Sequence, residues 1–166
     1  MNIFISYRRE TSSSFANALR YILRFEDYEV FLDVADMDLG YFNHQVQHHI
    51  KNCDIFLIII SENMFNLPRK KGGIDWVVRE VELALKLGCT IVPVFDLLPG
   101  FPDTINLPPS IEKIASLEGI SFMAGHFGDG RKRLLRYIRS KTKGFLPPKF
   151  LHDNDVLLIP QEYVSN

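Results

Sequence analysis

The chain has 166 residues, 46% of them hydrophobic, and a formal net charge of −1. That is enough for one domain whose sheet is covered on both faces, and the near-neutral balance argues against a nucleic-acid footprint or a polybasic membrane anchor. No apolar run reaches the length of a membrane span and the N-terminus enters a strand pattern with no signal peptide, so the expectation is a cytoplasmic protein.

In chain order, Asn2 to Tyr7 (NIFISY) reads as a short apolar strand, followed by Arg8, Arg9 and Glu10 and a serine run suited to capping a helix. Phe15, Ala18, Leu19, Ile22 and Leu23 recur at helical spacing to about Phe25, and Tyr28 to Leu32 reads as a second strand. An acidic loop, Asp33 to Tyr41, follows, with Gly40 as its conformationally permissive residue. Phe42, Val46 and Ile50 mark a shorter helix. Asp54 to Ile60 (DIFLIII) is an unbroken apolar run, the pattern of a strand buried on both faces of a parallel sheet.

Ser61 to Ile74 carries Pro68, Lys70, Lys71, Gly72 and Gly73 and reads as a long loop, a kind of segment that tends to be functional in a compact domain. Asp75 is then a good N-cap for a helix from Trp76 to Leu87, with Gly88 suited to the left-handed residue that ends it. A strand from Thr90 to Phe95 follows, in which Pro93 is tolerable only opposite a gap or a short neighbour. Leu97 to Pro109 is a proline-rich connection, Ile120 to Met123 a short last strand, and Asp129 caps a final helix with Leu134, Leu135 and Ile138 inward. Arg131, Lys132, Arg133, Arg136 and Arg139 make its outer face basic, which reads as a solvated face rather than a partner-binding patch. Cys53 and Cys89 each precede a strand, without CxxC or metal spacing, as small core residues would in a reducing compartment.

The alternation of strands and helices argues for a flavodoxin-like, doubly wound parallel sheet of five strands with helices on both faces. In that order ligands bind beyond the carboxyl ends of the first and third strands, which gathers Arg8, Arg9, the Asp33 to Phe42 loop, Ser61 and the start of the Trp76 helix around one crevice. On the Trp76 helix, a spacing of about 100° per residue puts Val77, Val81, Ala84 and Leu85 in the core and Arg79, Glu82 and Lys86 in water, where Glu82 and Lys86 can pair. Glu80 lies on a flank with Trp76, Leu83 and Leu87. From the helix alone it reads as a boundary glutamate reaching solvent; the sharper reading is a partly desolvated carboxylate awaiting a cation.

Several chemistries lack their residues. There is no GxGxxG after a strand and no P-loop, and no serine or cysteine stands in a nucleophile motif. A receiver domain would need a carboxylate cluster where this chain has Ser6-Tyr7-Arg8-Arg9 and Ser61-Glu62. His44 and His48 are one helical turn apart, but no third ligand follows, so no metal is expected.

The segments IFISYRRE (Ile3 to Glu10), VFLDVADMDLGYF (Val30 to Phe42), DIFLIIIS (Asp54 to Ser61), DWVVREVELAL (Asp75 to Leu85) and TIVPVFD (Thr90 to Asp96) together resemble the TIR (Toll/interleukin-1 receptor) domain over about residues 1 to 141. The domain is set at 1–143, with 144–166 a C-terminal tail or linker. The resemblance is nearest to the enzymatic, NAD-cleaving branch found in bacterial immune proteins and in the animal axon-degeneration NADase. It implies an NAD+ nucleosidase that takes NAD+ as substrate and needs no cofactor, releasing nicotinamide with ADP-ribose or a cyclic ADP-ribose isomer. The family's WxxxE pattern falls on Trp76 and Glu80, which makes Glu80 the catalytic residue. Arg8, Arg9, Asp38, Phe42 and Trp76 match positions that bind the substrate, Asp38 being one methylene shorter than the glutamate of the enzymatic relatives. A proline at the place of Pro93 is also a family feature. The resemblance further implies self-association through TIR–TIR contacts, antiphage immune signalling and a downstream effector that senses the nucleotide product. The alternative is a non-enzymatic TIR interaction module assembling through the Asp33 to Phe42 loop.

Overall fold

The computed structural model describes residues 1–32, 42–66, 75–102 and 106–141. Residues 33–41, which include Asp38 and Gly40, residues 67–74 and 103–105, and the tail after 141 therefore lie outside the described residues. Five strands form one sheet: β1 (Asn2–Ser6), β2 (Glu29–Leu32), β3 (Ile55–Ile60), β4 (Thr90–Asp96) and β5 (Ile120–Phe122), in the order β2-β1-β3-β4-β5. All four pairings are parallel, as the alternating pattern implied. The helices are α1 (Arg9–Phe25), α2 (Phe42–Lys51), α3 (Trp76–Leu87) and α4 (Phe127–Lys141), with a 3-10 helix at Pro109–Ser116.

Side chains alternate across each strand, so the sheet has two apolar faces. Ile3, Ile5, Leu57, Ile59, Val92 and Val94 pack with Ala16, Leu19 and Leu23 of α1 and Leu134, Leu135 and Ile138 of α4. Phe4, Phe56, Ile58, Ile60 and Phe95 pack on the other side with Val46 and Ile50 of α2 and Val77, Val81 and Ala84 of α3. Every residue of β3 is buried, as expected of the central strand.

Helix α3 has the expected bounds. Asp75 accepts from the Val78 amide at 3.2 Å, and Gly88 closes the helix at φ 69°, where a β-carbon would be strained. Pro93 sits opposite Ile58 of β3, one residue before the three-residue ladder with β5 begins at Val94, so its missing N–H falls beside a short neighbour.

Three expectations are corrected, and one element is added. The serine run does not cap α1: the helix starts at Arg9, and Ser13 turns its hydroxyl back onto the Arg9 carbonyl at 2.8 Å. Ser12 leaves helical geometry at φ −133°, kinking the first turn. Asp129 lies inside the first turn of α4, whose expected cap position belongs to an earlier residue. The basic face of α4 is partly engaged, because Arg131 and Arg139 both donate to Glu26, at 3.3 and 2.8 Å, and Arg133 to the Ser121 carbonyl. The 3-10 helix occupies the stretch between the Leu97 to Pro109 connection and the last strand, for which the sequence suggests no element, and it buries Ile111 and Ile114.

Candidate active site

The parallel sheet brings the ends of β1, β3 and β4 to one edge, where α1 and α3 begin. Alternation puts Ser6, the last residue of β1, on the same face as Phe4, toward α3. On α3, Glu80 follows Val77 by three positions and precedes Ala84 by four, which sets it on the buried stripe itself. Glu80 is 3% exposed and Ser6 is fully buried. The Ser6 hydroxyl donates to Glu80 Oε2 at 2.5 Å, a length typical of a charge-assisted O–H···O bond. The solvent-reaching reading of Glu80 is thus overturned. A carboxylate taken this far from water is costly to fold around, and such groups concentrate at functional sites.

Glu82 takes the opposite place. Its nearest cation is Arg79, at 3.6 Å, rather than the expected Lys86, and the pair faces solvent. The wheel also mislaid two core positions, since Val78 is buried and Leu85 only half-buried.

A second contact ties the same two segments together. Arg8 Nη2 meets the Asp75 carboxylate at 2.7 Å, with the two side chains 16% and 5% exposed. Asp75 is also the N-cap, so the Arg8 guanidinium, the cap and the first amides of α3 form one charged cluster. Trp76, half-buried, is the next residue, and Arg9, also half-buried, opens α1. Phe42 enters as the first residue of α2, and its side chain lies outside what is described. The structure therefore brings together Arg8, Asp75 and Trp76 at the head of α3, with Glu80 one turn further on.

Further hydroxyls stand where α1 meets the same sheet edge, on the face opposite α3. Thr11 and Ser61 hydroxyls lie 2.6 Å apart, joining the start of α1 to the end of β3. Asp96, at the end of β4, has its carboxyl pushed up by burial, while a hydrogen bond from Ser12 pulls it back down. Ser6, Thr11 and Asp96 were not singled out from the sequence. A serine or threonine at a strand end carries no spacing signal, and only the strand order reveals which helix it faces. Among the described residues, no group of three or more His, Cys, Asp or Glu is placed to hold a metal ion, and no helix is long and apolar enough to cross a membrane.

The TIR domain family model matches residues 3–135. The NAD(+) hydrolase sarm1 of Drosophila melanogaster is 24% identical over 168 residues, covering 93% of this chain and 12% of that protein. The NAD(+) hydrolase SARM1 of Danio rerio is 30% identical over 140 residues, covering 82% of this chain and 19% of that protein. The chain thus spans less than a fifth of the length of these relatives. Among solved structures, the TIR domains of the activated Roq1 resistosome superpose with a TM-score of 0.58 at 16% identity, covering 84% of this chain and 98% of that one.

Proposed function

Because this chain belongs to the TIR domain family, we propose that it is an NAD+ nucleosidase that cleaves the bond between nicotinamide and ribose, with Glu80 as its catalytic carboxylate. The observation that carries this reading is the burial of Glu80 at 3% exposure on the helix that begins with Trp76, its carboxylate held from beneath by Ser6. The likeness to proteins named NAD(+) hydrolases supports it.

The reaction asks little of the protein. Nicotinamide in NAD+ is a cationic pyridinium; when the C1′–N bond breaks, the ring nitrogen keeps the electron pair and leaves neutral. No general acid is needed, in contrast to ordinary glycosides with their two carboxylates. Positive charge develops on the ribose ring, and a carboxylate in a poorly hydrated site attracts it strongly. Glu80 stabilises that charge and holds the ribose hydroxyls. Water then adds at C1′ and loses a proton, giving ADP-ribose; attack by the adenine or a ribose hydroxyl gives a cyclic isomer instead.

Arg8 and Arg9 supply positive charge for the pyrophosphate, Arg8 from a guanidinium whose Nη2 is oriented by Asp75. Trp76 and Phe42 offer aromatic faces for stacking, and Asp38 a carboxylate from the acidic loop. Self-association completes the site, and the product signals to a downstream effector in antiphage defence within the cytoplasm. The test is to incubate concentrated protein with NAD+, separate products by chromatography with mass detection, and repeat after dilution. Nicotinamide appearing together with ADP-ribose or its cyclic isomer, at a specific activity that rises with protein concentration, is the expected result. A parent protein that releases no nicotinamide even when assembled points to an interaction module.

A further inference from the structure

We propose that Ser6 is the positioning residue for Glu80: its hydroxyl fixes the carboxylate in the orientation that meets the ribose, an assignment that rests on Glu80 being the catalytic carboxylate. A glutamate side chain turns about three bonds, and its reactive end is the part least constrained by the helix that carries it. Serine has one side-chain torsion, and the backbone of Ser6 is held by the central sheet, where β1 lies between β2 and β3 and Ser6 pairs in register with Ile58. The donor is therefore rigid and the acceptor flexible. The 2.5 Å bond ties Oε2 to the sheet and sets the plane of the carboxylate.

The helix itself is held from the same strand end. Two residues beyond Ser6, Arg8 grips Asp75 at 2.7 Å, and Asp75 caps α3 five residues before Glu80. The segment Ser6 to Arg8 thus meets α3 at both its cap and its buried carboxylate, which limits sliding and rotation of the helix against β1. Misplacement of a reacting group by about 1 Å can cost on the order of a hundredfold in rate, so one short bond at the carboxylate has kinetic weight. Ser6 touches Glu80 and is not assigned a contact with substrate.

The experiment compares the parent, Ser6→Ala, Ser6→Thr and Glu80→Gln for nicotinamide release over a range of NAD+ concentrations. Ser6→Ala should lower kcat by about tenfold to thirtyfold with KM within about twofold, because binding contacts elsewhere are kept while the carboxylate loses its orientation. Ser6→Thr restores a hydroxyl at the same place and should recover kcat to within about threefold, which a purely structural role for the serine would not predict. Parental kcat in Ser6→Ala, or no recovery in a folded Ser6→Thr, overturns the proposal. If Glu80→Gln equals the parent, the reading of the site fails and the proposal falls with it; if Glu80→Gln is impaired and Ser6→Ala is not, the proposal alone fails. Urea midpoints of Ser6→Ala, Glu80→Ala, which removes the acceptor, and the double variant give a second readout independent of activity. Non-additive shifts are expected for groups in direct contact, and additive shifts would show that the bond is absent in solution and overturn the proposal.

Discussion

Replacing Glu80 by glutamine keeps shape and volume but removes the charge. The magnitude follows from burial: at 3% exposure little water screens the site. With an effective dielectric of about 20, unit charges about 4 Å apart attract by about 4 kcal/mol. The amide dipole retains part of this, so a loss of about 3 kcal/mol, or about two orders of magnitude in kcat, is expected. Glu82→Gln is the matched control, since it removes one charge from a solvent-facing pair with Arg79 whose contribution is about 0.3 kcal/mol. Stability should separate from activity. The Ser6 hydroxyl can donate to the glutamine oxygen as it does to Glu80 Oε2, and a desolvated charge is gone, so the melting temperature of Glu80→Gln should hold or rise. Nicotinamide release is followed for all three proteins with melting curves alongside. Equal losses in the two variants, or a Glu80→Gln protein at the parental rate, would refute the reasoning.

Gly119→Ala should destabilise by about 1–3 kcal/mol in urea titration, because the added carbon would lie 2.7 Å from the Pro93 carbonyl oxygen and press on the Phe95 ring; an unchanged midpoint would contradict the packing. Glu26→Ala removes the shared acceptor of Arg131 and Arg139 and should cost about 2 kcal/mol, less than a fully buried pair because Arg139 is 36% exposed; a midpoint unchanged within error would show that the α1–α4 contact is not held by these charges. Asp96, whose carboxyl is raised by burial against the pull of the Ser12 hydrogen bond, binds its proton more tightly folded than unfolded. Its protonated form therefore contributes stability in acid that is lost as pH rises through and above the ordinary aspartate range. Asp96→Asn should accordingly raise the urea midpoint at pH 7 more than at pH 3, and an equal change at both would refute the sign.

Local signals and the parallel topology were legible from residues alone, and long-range contacts were not. Helix α3 could be bounded because Asp75 and Gly88 act on their immediate neighbours, and β3 because an apolar β-branched run has few other destinations. The serine run misled because serine competes for backbone groups both at a cap and inside a helix, and Ser13 chose the Arg9 carbonyl. The 3-10 helix does carry a local signal: Pro109 at its start and Ile111 and Ile114 three apart, the spacing that stacks side chains on one face of a 3-10 turn. Glu80 was ambiguous on the wheel because its burial depends on β1. Ser6 is 74 residues away in the chain, and no local pattern couples the two.

That separation has a consequence for how the protein is made. As the chain leaves the ribosome, β1 can pair with β2 and then with β3, yet Ser6 has no acceptor until α3 has also emerged and docked. Until β4 arrives, the fully apolar β3 is an open edge of the growing sheet, a surface prone to pair with other chains. Pairings between distant segments form late, after their loop-closure entropy has been met. The Glu80 carboxylate is thus withdrawn from water only once α3 has docked on β1, and a prematurely released chain that stops short of α3 lacks the acid and leaves the Ser6 hydroxyl without it.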